Sequence, residues 1–210
     1  MHQAAMQEPA HQALRIGGYA LAALSVYLAA AIASWGGIGD WDGVHYIRGA
    51  LLWVENGPIL GQDHWELRHP LVLPMAASMK LFGLSELAAA VPNFVYAGLL
   101  VLVSVIIGER FVVPRAGLIL GLLVATSPAL ALLMPEVEIR GPEIFFAVLS
   151  LWLFLEGLAR ADRGALWLLL GAGLASGLAW MCREVAGYLP VVFVTAGWLL
   201  APRGRPSRLR

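Results

Sequence analysis

Long apolar runs broken by short polar ones dominate this 210-residue chain, and six of them are long enough to mark as helices. They cover residues 13–35, 85–107, 113–134, 141–159, 165–182 and 185–201. A helix needs about 20 nearly uncharged residues to cross the hydrocarbon core of a bilayer, so the pattern predicts an all-α, polytopic membrane helix bundle of about six spans. The first run ends in Ala31-Ile32-Ala33, which looks like a cleavage site, but it is longer than the apolar core of a signal peptide. An uncleaved anchor is the better reading. The chain is read as a single transmembrane domain, 1–210, with a tail at 1–12, a long loop at 36–84 and a basic tail at 202–210.

The long loop carries its own periodicity. Val44, Ile47, Leu51 and Val54 form one apolar stripe at helical spacing, and Gly57 is placed to end that helix. A second amphipathic helix is expected from Pro70, a favoured first helical residue, to Phe82 before Gly83. Both are expected at the membrane interface, with Trp41, Trp53 and Trp65 as anchors. Ser85 offers an N-cap for the second span. Gly173 and Gly177 form a G-x-x-x-G pair that permits close helix packing.

Composition agrees with the pattern: 60% of residues are hydrophobic and only 13% charged, with a mean hydropathy of +0.75. Soluble domains carry about 25% charged residues. The net charge is zero, but its distribution is informative. With the N-terminus inside, Arg15, Arg110, Arg115, Arg160, Arg163, Arg203, Arg205, Arg208 and Arg210 are cytoplasmic, against Arg48, Arg68, Lys80, Arg140 and Arg183 outside. That bias satisfies the positive-inside rule and puts the 36–84 loop outside the cell membrane. The single cysteine, Cys182, excludes an internal disulfide, and the absence of a basic cluster before the tail speaks against nucleic-acid binding. Mid-span acids and matching broken helices, the marks of a transporter, are missing; Glu156 sits near a helix end, where it can snorkel.

The candidate chemistry lies outside. Asp40 and Asp42 flank Trp41, and Tyr46 follows Asp42 by one helical turn. Either acid can simply cap the helix, and a D-x-D triplet is short enough to recur by chance. Asp63-His64-Trp65-Glu66-Leu67-Arg68-His69-Pro70 forms a second polar cluster. One reading is a divalent metal site drawn from Asp40, Asp42, His45, His64 and His69. Another is an anion site in which Arg68 and His69 hold a phosphate, and the bland one is a solvated loop. The next outer loop adds Glu136, Glu138, Arg140 and Glu143.

Taken together, Asp42, Tyr46 and Ala50 (D-x-x-x-Y-x-x-x-A), Arg68-His69 before Pro70-Leu71, and Leu81-Phe82-Gly83 resemble the N-terminal half of the GT-C membrane glycosyltransferases. Within them the likeness is to the protein-mannosyltransferase-like and lipid A aminoarabinose transferase-like branch. It runs over about residues 15–200, with the specific motifs in the first loop. The resemblance implies sugar transfer, with inversion, from a polyprenyl-phosphate donor to a lipid, glycan or protein acceptor at the outer face of a bacterial inner membrane. It implies Asp42 as general base, with Asp40 an assistant. His45, Tyr46, Glu66, Arg68, His69 and Glu143 are the expected substrate-binding residues, and Asp40, Asp42 and His69 the candidates for any divalent metal. Histidine departs from the basic residues of close relatives, because it binds phosphate less strongly when neutral. Relatives also have more spans, so the chain reads as an incomplete catalytic module. A non-catalytic scaffold or lipid-binding subunit built on the same fold is the alternative.

Overall fold

The computed structural model describes residues 2–38, 41–57, 61, 63–130 and 136–200, and among these all regular structure is helical. The helices are α1 (His2–Ser34), α2 (Trp41–Asn56), α3 (His69–Phe82), α4 (Glu86–Ile107), α5 (Ala116–Ala125), α6 (Arg140–Ala159), α7 (Gly164–Cys182) and α8 (Tyr188–Leu200). Four of them are long and apolar enough to cross a membrane: His11–Ser34, Glu86–Val112, Arg140–Ala159 and Gly164–Cys182. The third and sixth expected segments fold as the shorter apolar helices Ala116–Ala125 and Glu184–Leu199.

Contacts nevertheless show that both shorter helices follow the long axis of the bundle. At one end, where α4 passes through a π-helical turn (Gly108–Val112), Glu109 meets Arg15 and Arg115. At the other end Val137, beyond α5, packs against Gly43 of α2. The chain therefore climbs the bundle between Ala116 and Val137. Likewise α8 starts beside Cys182 and reaches the level of Phe154 on α6, on which Phe193 stacks at 4.6 Å between ring centroids. The end holding α2 and α3 is called the loop end below, and the opposite one the arginine end.

Helix boundaries follow local chemistry. The Ser85 hydroxyl caps α4 by accepting from the Ala88 N–H at 3.2 Å. Gly57 and Gly83 have φ of 74° and 87°, the left-handed region open to glycine, and they terminate α2 and α3 as expected. Between helices, small residues set the approach. Ala23, Tyr27 and Ala31 of α1 recur at helical spacing and are buried in a cluster with Ala97 and Val101 of α4. In a membrane the lipid is as apolar as leucine, so close backbone packing rather than burial from water favours such contacts.

Three expectations are corrected. The buried face of α2 is Gly43, Tyr46, Gly49 and Ala50, while Ile47, Leu51 and Val54 are half-buried and Val44 is exposed. A β-carbon on Gly43 would come within 3.1 Å of the Val137 carbonyl, so the flush side of α2 admits the loop where a larger residue would hold it off. Gly173 and Gly177 face nothing within 4 Å, and α7 instead buries Ala172, Ala175, Ser176 and Ala179. Glu156 does not snorkel: it is buried between Arg110 at 2.9 Å and Arg160 at 3.5 Å. A desolvated carboxylate needs such partners more than it needs water access.

Candidate active site at the loop end

Tyr46 is the centre of this region. Its side chain is fully buried in a cluster with Leu71, Val72 and Met75 of α3, Ala89 of α4, and Val137 and Ile139 of the loop before α6. Placed one helical turn after Asp42, it brings α2 into register with both loops. Arg68, just ahead of α3, donates from Nη1 to Tyr46 Oη at 2.5 Å, and its guanidinium carbon lies 5.8 Å from the ring centroid. Pro70 lies at the start of α3, and Arg68 is its N-cap residue, whose side chain caps no helix N–H and reaches Tyr46 instead.

The electrostatics follow from this packing. Burial pushes the Tyr46 phenol up to about 12; Arg68 pulls against that rise by charge and hydrogen bond, and Asp42 and Glu138 add to it. The phenol therefore keeps its proton at neutral pH, accepts from Arg68, and retains an O–H to donate. Among the described residues Arg68 has no carboxylate within ion-pair distance, and Asp42 has neither a cation nor a hydrogen-bond donor. An unneutralised cation and an unpaired acid thus flank one phenol. That arrangement can hold an anion on one side and take up a proton on the other.

The remaining expected site residues divide. Glu143 joins Arg183 across α6 and α7 at 3.5 Å, and Cys182 lies within electrostatic reach of both Glu143 and Arg68. His69 sets its ring edge-on to Trp53 at 5.9 Å, with Nε2 buried and unpartnered. His45 stacks on Trp65 at 4.6 Å, and His64 also lies against that indole. Glu66 is buried beneath Gly49 and lies 3.6 Å from Arg48. Its burial and its arginine suit a brace between α2 and the 63–68 turn, where its N–H also donates to Asp63. Asp40 lies outside the described residues. Among the described residues no three His, Cys, Asp or Glu side chains gather as metal ligands.

Sequence reasoning missed Asn93. It lies seven residues into α4, fully buried, and its Nδ2 donates to the carbonyls of Glu136 and, at 2.9 Å, of Glu138. The available signal was an amide inside a 22-residue apolar helix, directly after Pro92.

Residues 68–210, about two thirds of the chain, match the family model described as dolichyl-phosphate-mannose-protein mannosyltransferase. The chain belongs to this family. It is accordingly a membrane-embedded glycosyltransferase of the GT-C type. The match takes in Arg68, His69, Asn93 and Glu143, and begins after Asp42 and Tyr46. No curated protein and no solved structure matches the chain.

Proposed function

We propose that this glycosyltransferase moves a sugar from a polyprenyl-phosphate donor to an extracytoplasmic acceptor, with inversion at the anomeric carbon. The loop end faces the outside of a bacterial inner membrane in this reading, as the excess of basic residues at the arginine end favours. Arg68 holds the donor phosphate and offsets the charge that develops on it as the leaving group. Tyr46, buried behind it, orients Arg68 by accepting its hydrogen bond. Asp42 takes the proton from the acceptor hydroxyl as that oxygen attacks the anomeric carbon from the opposite side, and the glycosyl–phosphate bond breaks with its electron pair on the phosphate. Glu143, paired with Arg183, binds a sugar or acceptor hydroxyl in this reading. The donor's chain lies among apolar helices, and its acceptor is a lipid, a glycan or a protein.

One observation carries this reading: Arg68 spends its hydrogen bond on a phenol that lies one helical turn from Asp42, and among the described residues neither Arg68 nor Asp42 has a partner of opposite charge. The test is transfer by the chain reconstituted in liposomes, with dolichyl-phosphate mannose as probe donor. Asp42→Asn is expected to insert and accumulate normally while losing about 10²–10⁴ in kcat, the range for a general base. Normal turnover by that variant would refute the assignment.

A further inference from the structure

Loop backbone below a membrane surface must find donors for its carbonyls inside the protein, because lipid supplies none. The loop before α6 meets this demand in an unusual way. Val137, Glu138 and Ile139 are all buried, and the loop descends to a residue lying about 10 Å, seven helical rises, below the start of α4. There the Asn93 amide supplies both of its N–H groups, one to Glu136 O and one to Glu138 O. Because both acceptors are carbonyls, the amide can be used only this way round. Gly141 packs flat against it, and a β-carbon there would sit 3.5 Å from the Asn93 amide.

The clamp bears on the candidate active site through the loop it holds. Val137 and Ile139, on either side of Glu138, pack in the Tyr46 cluster, and the Val137 carbonyl abuts Gly43 beside Asp42. Glu138 is oriented by Arg140 at 2.8 Å and acts electrostatically on Tyr46. We propose that Asn93 is a positioning residue for sugar transfer: its buried amide fixes the 136–139 backbone and so holds Glu138 against the Asp42–Tyr46 side of the site. Asn93 touches neither substrate nor the reacting atoms; it works through Glu138. This inference rests on the reaction proposed above. A leucine at position 93 would suit the helix and the membrane better, but it would take an amide donor away from both the Glu136 and the Glu138 carbonyl.

The experiment combines hydrogen exchange with a double-mutant cycle on the full chain in liposomes, dolichyl-phosphate mannose again being the probe. Asn93→Asp keeps the shape but turns an acceptor toward two carbonyls; Asn93→Ala removes the amide altogether. In both, amide exchange at 136–143 is expected to quicken by about tenfold or more while α4 and α6 stay protected. Glu138→Gln is expected to lower kcat. Each Asn93 variant is expected to lower kcat by about tenfold to a hundredfold, with donor KM within about threefold of the starting value. Placed on Glu138→Gln, Asn93→Ala is expected to lower kcat no further. Unchanged loop exchange, a loosened loop with unchanged kcat, a silent Glu138→Gln, or effects that multiply independently would each overturn the proposal. No transfer by the unmutated chain would instead overturn the reaction itself, so the two failures are told apart.

Discussion

The two ends of the bundle use the same residue types to different purposes. At the arginine end the buried carboxylates face arginine: Glu109 meets Arg15 at 2.5 Å and the Arg115 N–H at 2.9 Å, and Glu156 Oε1 lies between Arg110 and Arg160. At the loop end Arg68 meets a phenol and Asp42 meets no cation among the described residues. Charges spent on each other hold helices in register; charges left unspent are free to meet a substrate. Composition cannot separate these cases, because arginine and acid occur at both ends. Partnering separates them.

The comparison can be broken most severely at Asp42, where a single amide substitution should cost about 10²–10⁴ in turnover without lowering the amount of folded protein. Next in size is Glu109→Ala. Breaking a buried pair costs about 3–5 kcal/mol, and because the Arg15 side chain is 39% exposed the expected loss is nearer 2–3 kcal/mol. It should appear as a lowered thermal midpoint with turnover per folded molecule unchanged. Arg68→Lys keeps the charge but loses the planar fork, and a rise in donor KM of about tenfold is expected from steady-state transfer rates. The smallest effect is that of Tyr46→Phe at neutral pH. The phenol is raised from 10 to about 12, so the folded state holds its proton more tightly than the unfolded chain does. Its contribution to stability is therefore complete below pH 10 and is lost as pH rises from 10 to about 12. The phenylalanine variant should lack that alkaline loss, as denaturation followed across this range would show.

Much of this architecture was legible in the sequence. Ser85, Gly57 and Gly83 marked helix ends by mechanisms that depend on neighbours in the chain, and the structure follows them. The family likeness, too, was legible from residues within the first loop, and the match over 68–210 agrees with it. The packed face of α2 was not legible. Apolar periodicity points to the core only where water covers the other side; next to lipid, Val44 can stay exposed while Gly43 and Gly49 seat the backbone. The same reasoning misread Gly173 and Gly177, whose spacing permits a contact without requiring one. Asn93 was missed for another reason: its partners are backbone carbonyls more than 40 positions away, which no local pattern encodes. Glu156 shows the converse, a residue whose position near a helix end suggested water although two arginines cover it.

The most direct measurement pairs one substitution at each end: sugar transfer per folded molecule by Asp42→Asn and by Glu109→Gln, in the same liposomes with the same donor. The division between the ends predicts that Asp42→Asn loses about 10²-fold or more while Glu109→Gln keeps nearly full turnover at reduced stability. Equal losses at both ends, or full turnover by Asp42→Asn, would contradict it.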